Sequence, residues 1–190
     1  MKSKVPSSAR VGAIDKPASQ AAKPPLIKEK QTTLGLYVTA QEAYEMWKAK
    51  HDQVKILDVR TPEEYLFVGH AEMARNIPLC FVKYQWNADK NEPVMEPNPD
   101  FISIAKSLFN DTDTLLLTCR SGGRSALAVN ALAKAGFENV YNIIDGMEGD
   151  KVDDPGSVYY GKRMENGWKN SGSPWTYDVN PELIWISTRQ

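Results

Sequence analysis

Cysteine and histidine are scarce in this sequence of 190 residues, and their scarcity excludes several kinds of site. The only cysteines are Cys80 and Cys119, and the only histidines are His51 and His70. Two cysteines without a CxxC pair are too few for a scaffold held together by disulfides. Two histidines without a cluster of further ligands predict no zinc site, and we expect no metal ion or other cofactor.

Long hydrophobic runs and an excess of one charge are lacking as well. No run of about 18 apolar residues occurs, so the sequence predicts no membrane span. The 23 Lys and Arg residues balance the 24 Asp and Glu residues, which leaves a formal net charge of −1. This balance gives no reason to expect a nucleic-acid ligand. With 42% hydrophobic residues, the composition is that of a soluble globular protein.

Three regions of the chain differ in composition. Residues 1–33 contain several prolines and no aromatic residue, so we expect a disordered leader, with order beginning near Leu34. This leader resembles the mature start of exported proteins, which favours a periplasmic location over a cytoplasmic one; no signal peptide is visible. Residues 34–151 are expected to form the folded domain. Residues 152–190 are rich in tyrosine and tryptophan, and we expect this extension to pack on the domain.

Short apolar segments alternate with helical patterns in the central region. Residues 54–59 and 114–118 have the length and apolar composition of buried strands, and "NVYNI" predicts a further one. Thr39 and Thr61 have the character of helix N-caps. Residues 87–99 contain three prolines and predict a loop. The alternation predicts an α/β fold of three layers, with a mostly parallel sheet of about five strands between helices.

The segment "LLLTCRSGGRSALAVNALAKAG" predicts a reactive cysteine. Cys119 ends an apolar strand, and a helix is predicted to begin at Arg124. The four residues between them are Arg120, Ser121, Gly122 and Gly123. The glycines let successive N–H groups point inward, and the helix N-terminus adds unpaired N–H groups and a positive dipole end. This ring favours a thiolate, a persulfide or a bound anion. Cys80 has no such setting and is interpreted as a packing residue.

Three segments resemble the rhodanese homology domain. "CRSGGRSA" resembles its active-site loop, "ILDVRTPEEYLFVGHAEMARNIPL" its second hallmark, and "GFENVYNIIDGMEG" its closing strand and turn. They occur in the family's order and cover roughly residues 35–150. The ending "NGWKNSGSPWTYDVNPEL" resembles the tail of some bacterial single-domain members, several of them exported.

The resemblance implies sulfurtransferase chemistry. Cys119 would attack a sulfane donor such as thiosulfate, become a persulfide and pass the outer sulfur to cyanide or a thiol. The implied substrate-binding residues are Arg120, Ser121, Gly122, Gly123, Arg124 and Ser125, of which the two arginines would bind the anionic donor. Asp58, Arg60 and His70 match the second hallmark and are expected to support the loop rather than react. The expected partners are a small sulfur-donor anion, a thiol or cyanide acceptor, and a sulfur-relay protein.

Two alternatives remain open. The first is a persulfide carrier or sulfur-sensing module that turns over little on its own, because the same persulfide serves both roles. The second is a cysteine phosphatase or an arsenate reductase, which also places a cysteine in an anion-binding ring before a helix. Tyrosine phosphatases have a longer loop than the one between Cys119 and Arg124, and a smaller ring fits one sulfur atom better than a tetrahedral oxyanion.

Overall fold

A central parallel sheet organises the computed structural model, which describes residues 25–186. Its five strands are β1 (Tyr37–Val38), β2 (Val54–Asp58), β4 (Arg75–Asn76), β7 (Thr114–Thr118) and β8 (Val140–Ile143). The remaining strands of the described residues form two pairs, β3 (His70–Ala71) with β9 (Trp175–Thr176), and β5 (Cys80–Asn87) with β6 (Glu92–Pro97). The α-helices in this part of the chain are α1 (Ala40–Ala49), α2 (Pro62–Val68), α3 (Phe101–Leu108) and α4 (Gly123–Lys134).

The strand order of the central sheet is β1-β8-β7-β2-β4, and every pairing is parallel. The α/β fold predicted from the sequence, with about five mostly parallel strands, is therefore confirmed. Strands β2 and β7 lie side by side, with Asp58 opposite Thr118. Their carboxyl ends are level, so the residues that follow each of them, including Cys119, lie at the same edge of the sheet.

The two hydrophobic clusters lie on opposite faces of this sheet. Leu57 and Leu117 pack with α3 and α4, whereas Ile56 and Leu116 pack with α1. Adjacent residues of a strand point to opposite faces, so the apolar runs of β2 and β7 contribute to both clusters. This arrangement gives the three predicted layers, with helices on both sides of the sheet.

Capping residues fix where the first two helices begin. The Thr39 side chain accepts the N–H of Glu42, and the Glu42 carboxylate accepts the N–H of Thr39. Thr61 and Glu64 form the same reciprocal pair at the start of α2, where Pro62 holds the first helical position. The N-caps predicted at Thr39 and Thr61 are therefore confirmed.

The predicted loop at residues 87–99 is wrong for much of its length. Strands β5 and β6 form an antiparallel hairpin, in which Cys80 lies opposite Pro97 and Trp86 opposite Pro93. Proline removes a backbone donor and is excluded from central strands, but the edge of a two-stranded sheet tolerates it. The prolines therefore indicate an edge strand here, not the absence of a strand.

Regular structure begins before Leu34, the residue near which the sequence analysis expected order to begin. Lys28–Lys30 form a single turn of 3-10 helix, and the buried Lys30 ammonium lies 2.9 Å from the Asp150 carboxylate. This ion pair joins residues 120 positions apart, so the local composition of the leader gave no sign of it. Residues 1–24 of the expected leader lie outside the described residues.

The C-terminal extension contacts the domain at several points. Trp168 is fully buried in the α1 side of the core. Strand β9 pairs antiparallel with β3, and the Leu183 carbonyl accepts the N–H of Asn76 at 2.8 Å. The Trp185 ring lies 4.7 Å from that of Phe81 on the hairpin. Within residues 25–186, no helix has the length and apolar character needed to cross a membrane.

Candidate active site

Cys119 lies in a buried turn between β7 and α4. Its sulfur accepts the N–H of Gly122 at 3.2 Å, and the Ser125 hydroxyl lies 3.3 Å from it. Gly122 has a φ of 97° and is the N-cap of α4, which begins at Gly123, one residue earlier than predicted. A Cβ at Gly122 would overlap the Ile144 carbonyl, so both the conformation and the space require glycine. The helix N-terminus and the loop N–H therefore face the sulfur.

The turn after β8 holds this loop from behind. The carbonyl oxygens of Cys119 and Arg120 accept the N–H groups of Met147, at 2.7 Å, and Glu148, at 2.9 Å. Gly146 has a φ of 65°, and a Cβ on it would lie 2.6 Å from the Cys119 carbonyl oxygen. The "DGMEG" turn thus fixes the loop carbonyls away from the sulfur.

Asn142 is a buried residue of this site that the sequence analysis missed. Its side-chain NH₂ donates to the Gly122 and Lys30 carbonyls, both at 3.0 Å, so its oxygen faces the Ser125 hydroxyl, 2.7 Å away. That amide oxygen can only accept, so the Ser125 hydroxyl donates to it and offers a lone pair to the Cys119 thiol. To bind the thiolate, the hydroxyl must turn. The sequence feature that could have identified Asn142 is an asparagine within the apolar strand "NVYNI", because a buried polar side chain needs hydrogen-bond partners.

The two loop arginines have different surroundings. Arg124 donates to both carboxylate oxygens of Glu64, at 2.7 and 2.5 Å. Burial alone would raise the pKa of Glu64, but the hydrogen bonds and charge of Arg124 outweigh burial and lower it. Arg120 is exposed, and no ion pair joins it to another residue in the range 25–186. The charge of Arg124 is largely neutralised, whereas that of Arg120 is available to an anion.

Asp58 and Arg60 form a buried ion pair between the end of β2 and the start of α2. Their shortest N–O distance is 2.6 Å, and Arg60 also donates to the Gly69 carbonyl at 2.8 Å. Burial alone would lower the pKa of Arg60, but the Asp58 carboxylate raises it. Buried His70 contacts the Tyr65 carbonyl at 2.9 Å and stacks on the Tyr65 ring. These contacts hold the residues on either side of α2, and the supporting role expected for Asp58, Arg60 and His70 stays a prediction.

Cys80 lies nearer to the site than its interpretation as a packing residue implied. It is half-buried at the start of β5, and it lines a cavity together with Arg120 and Arg124. Burial raises the pKa of the Cys80 thiol, and the neighbouring Arg124 opposes that rise. This proximity was not predictable from local sequence patterns, because it depends on where the hairpin leaves the sheet.

That cavity, which we term the hairpin cleft, has a volume of about 830 Å³ and lies between the β5–β6 hairpin, α3 and α4. Its walls are mainly apolar and include Val82, Met95, Ile102 and Leu127. Its polar lining residues are Glu64, Cys80, Glu92, Asn98, Arg120 and Arg124. The described residues contain no group of three or more His, Cys, Asp or Glu side chains arranged to hold a metal ion.

Known proteins resemble this chain in both sequence and structure. An uncharacterized protein of Rickettsia conorii is 30% identical over 140 residues, which are 74% of this chain and 96% of that protein. Thiosulfate sulfurtransferase 16, chloroplastic, of Arabidopsis thaliana is 37% identical over 109 residues, which are 57% of this chain and 81% of that protein. The crystal structure of Rv0390 from M. tuberculosis superposes with a TM-score of 0.58 at 25% identity, covering 74% of this chain and 96% of that chain.

The family model described as "Rhodanese-like domain" matches residues 39–152. This span includes the loop at Cys119, the Asp58–Arg60 pair and the turn at Gly146. Because the match covers more than half of the sequence, the chain belongs to the rhodanese-like domain family.

Proposed function

We propose that this protein is a sulfurtransferase in which Cys119 carries the sulfane sulfur as a persulfide. The observation that carries the proposal is the position of the Cys119 sulfur. It accepts the Gly122 N–H at 3.2 Å at the N-terminus of α4, where a negative charge on sulfur is favoured. Membership of the rhodanese-like family and the relative named as a thiosulfate sulfurtransferase support the same chemistry.

The reaction has two displacement steps. In the first, the Cys119 thiolate attacks the outer sulfur of thiosulfate; a new S–S bond forms, the bond within thiosulfate breaks, and sulfite leaves with the electron pair. In the second, cyanide or a thiolate attacks the outer sulfur of the persulfide, and the Cys119 thiolate leaves. The cysteine is restored, and the transfer requires no further oxidant or reductant.

The surrounding groups have separate tasks in this scheme. The Gly122 N–H and the start of α4 stabilise charge on the sulfur in both states of Cys119. Arg120, exposed at the mouth of the loop, attracts the anionic donor. Ser125 turns its hydroxyl between Asn142 and the sulfur as the charge on Cys119 changes.

Mass spectrometry of the full chain after incubation with thiosulfate tests the assignment of the nucleophile. We expect one added sulfur atom on the peptide that contains Cys119, and we expect Cys119→Ser to remove it together with thiocyanate formation from cyanide. Cys80→Ser is the matched control, and we expect it still to gain the sulfur atom. A Cys119→Ser protein that still forms thiocyanate would contradict the proposal.

Counting turnovers separates an enzyme from the carrier or sensor module. An enzyme releases many thiocyanate molecules per chain, whereas a carrier without its partner releases about one. A phosphatase would instead hydrolyse an aryl phosphate without adding sulfur to Cys119. The loop of four residues between Cys119 and Arg124 favours the sulfurtransferase over the phosphatase.

A further inference from the structure

We infer that Lys30, in the segment before the rhodanese-like domain, is a positioning residue for the reaction at Cys119. Its backbone carbonyl fixes the amide of Asn142, and Asn142 in turn holds the Ser125 hydroxyl beside the Cys119 sulfur. The inference rests on the proposed function, because it assigns a further residue to the same site. The family model begins at residue 39, so Lys30 lies outside the span that it matches.

Asn142 contacts both of the residues that lie at the sulfur. The Gly122 N–H donates to the Cys119 sulfur, and the Gly122 carbonyl accepts an N–H of the Asn142 amide. The Ser125 hydroxyl lies 3.3 Å from the same sulfur and 2.7 Å from the Asn142 oxygen. A rotation of the Asn142 amide would therefore disturb both contacts of the sulfur.

The Lys30 carbonyl determines how firmly that amide is held. The Asn142 side chain is fully buried, and its NH₂ group donates to the Gly122 and Lys30 carbonyls, both at 3.0 Å. The two N–H bonds are therefore both satisfied only while Lys30 stays in place. A buried N–H without an acceptor is unfavourable, so an amide that loses the Lys30 carbonyl samples other orientations.

An ion pair holds Lys30 at this position. The Lys30 ammonium donates to both carboxylate oxygens of Asp150, at 2.9 and 3.0 Å. The Lys30 side chain is only 11% exposed, so salt screens this pair less than a surface pair. Thr33 adds a second attachment, because its N–H and its hydroxyl both donate to the Asn130 side-chain oxygen on α4. The segment is thus fastened both to the turn after β8 and to α4.

These contacts form a chain that runs from Asp150 through Lys30, Asn142 and Ser125 to Cys119. The Ser125 hydroxyl has to turn between Asn142 and the sulfur as the charge on Cys119 changes. A fixed Asn142 oxygen keeps this hydroxyl within reach of both partners, which is how a supporting contact prepares a site for reaction. The arginine that attracts the anionic donor is not part of the chain. Lys30 should therefore affect the rate of the sulfur step and not the binding of thiosulfate.

Lys30→Met tests the inference, because it removes the ion pair but retains a long side chain. Mass spectrometry of acid-quenched single-turnover reactions measures the sulfur that the full chain gains from thiosulfate. We expect the limiting rate at saturating thiosulfate to fall about fivefold, the rate equivalent of one hydrogen bond. The thiosulfate concentration that gives half of this rate should stay within about twofold of the wild-type value, since Arg120 is unchanged.

Three further variants control this measurement. Lys28→Met is the matched control, because Lys28 is exposed in the same turn and its substitution should leave the rate unchanged. Lys30→Arg keeps a cation opposite Asp150 and should restore most of the rate. Asp150→Asn weakens the same ion pair from its more exposed side and should lower the rate as Lys30→Met does. A wild-type limiting rate in Lys30→Met, or an equal loss in Lys28→Met, would overturn the inference and leave the sulfurtransferase intact.

A cycle with Ser125→Ala separates positioning from a general loss of stability. If Lys30 acts through Asn142 and Ser125, Lys30→Met should have little further effect in the Ser125→Ala protein, so the two losses are not additive. A substitution that only loosens the fold lowers the rate by the same factor in both backgrounds. That additive result would also overturn the inference.

Alkylation of Cys119 by iodoacetamide tests Lys30 without any sulfur transfer. We expect Lys30→Met to slow alkylation of the peptide that contains Cys119, because the groups that stabilise the thiolate are held less firmly, and Lys28→Met to leave it unchanged. A wild-type protein that gains no sulfur from thiosulfate but shows this difference overturns the sulfurtransferase and leaves the positioning role intact. Equal alkylation rates in both variants overturn the positioning role.

Discussion

The Glu64 carboxylate forms an ion pair with Arg124 and thereby offsets a positive charge beside the cysteine loop. Both side chains are about one quarter exposed, at 23% and 25%, and two hydrogen bonds join them. Glu64→Gln removes the negative charge but keeps the shape, whereas Arg124→Met leaves a mostly buried carboxylate beside the loop. The two substitutions therefore differ in both stability and anion binding.

The loss of free energy of unfolding in each variant depends on how exposed the ion pair is. Breaking a fully buried pair costs about 3–5 kcal/mol, and an exposed pair contributes about 0–1 kcal/mol. For this partly buried pair we expect Arg124→Met to lower the free energy of unfolding by about 2–3 kcal/mol. Glu64→Gln should lower it by about 1–2 kcal/mol, because a glutamine oxygen still accepts one hydrogen bond from Arg124.

The pH dependence follows from the lowered pKa of Glu64. A carboxyl whose pKa is lower in the folded than in the unfolded state stabilises the fold above the unfolded value of about 4.3. That contribution is lost as the pH falls through the lower pKa of the folded state. The difference in stability between the wild-type protein and Glu64→Gln should therefore be full at pH 7 and shrink below about pH 4.

Urea denaturation of the wild-type protein, both single variants and the double variant forms a cycle that isolates the pair. We expect a coupling energy of about 1–2 kcal/mol at pH 7. In parallel, Glu64→Gln frees the Arg124 charge and should lower the KM for thiosulfate. Additive stabilities together with an unchanged KM in Glu64→Gln would refute the view that Glu64 neutralises Arg124.

Three further predictions concern the parts that surround the loop. Trp168→Ala should lower the free energy of unfolding by about 3–5 kcal/mol in urea, because a fully buried ring leaves a cavity. Asn142→Asp should reduce sulfur transfer by at least about tenfold, because a carboxylate cannot donate to the two carbonyls that Asn142 now binds. Deleting residues 1–33 should lower the melting temperature more than deleting residues 1–24, because only the longer deletion removes buried Lys30; equal melting temperatures would contradict this.

Local signals in the sequence were enough to predict the central parallel sheet and the helices beside it, but not the β5–β6 hairpin. The capping residues Thr39 and Thr61 act within a few residues of their own position. The apolar runs of β2 and β7 are also short local patterns, and they indicate buried strands. Alternation of such segments leaves few topologies, and the parallel sheet is one of them.

Contacts between distant residues were not predictable in the same way. Glu64 is 60 residues from Arg124, and Lys30 is 120 residues from Asp150. From the sequence, Arg120 and Arg124 were therefore equal candidates to bind the anionic donor. Only their surroundings in space distinguish them. The position of Cys80 beside the loop depends in the same way on the path of the hairpin.

The arrangement of the site suggests how one reactive loop serves a particular substrate. The loop at Cys119 provides what transfer from any sulfane donor requires, namely the Gly122 N–H and a helix N-terminus beside the Cys119 sulfur. It does not distinguish one donor from another, because these groups lie at the sulfur of Cys119 and not at the part of the donor that differs. Arg120 adds a preference for anions, and the hairpin adds an apolar wall to the cleft that Arg120 also lines. Substrate preference should therefore change with substitutions in the hairpin, whereas reactivity should change with substitutions in the loop.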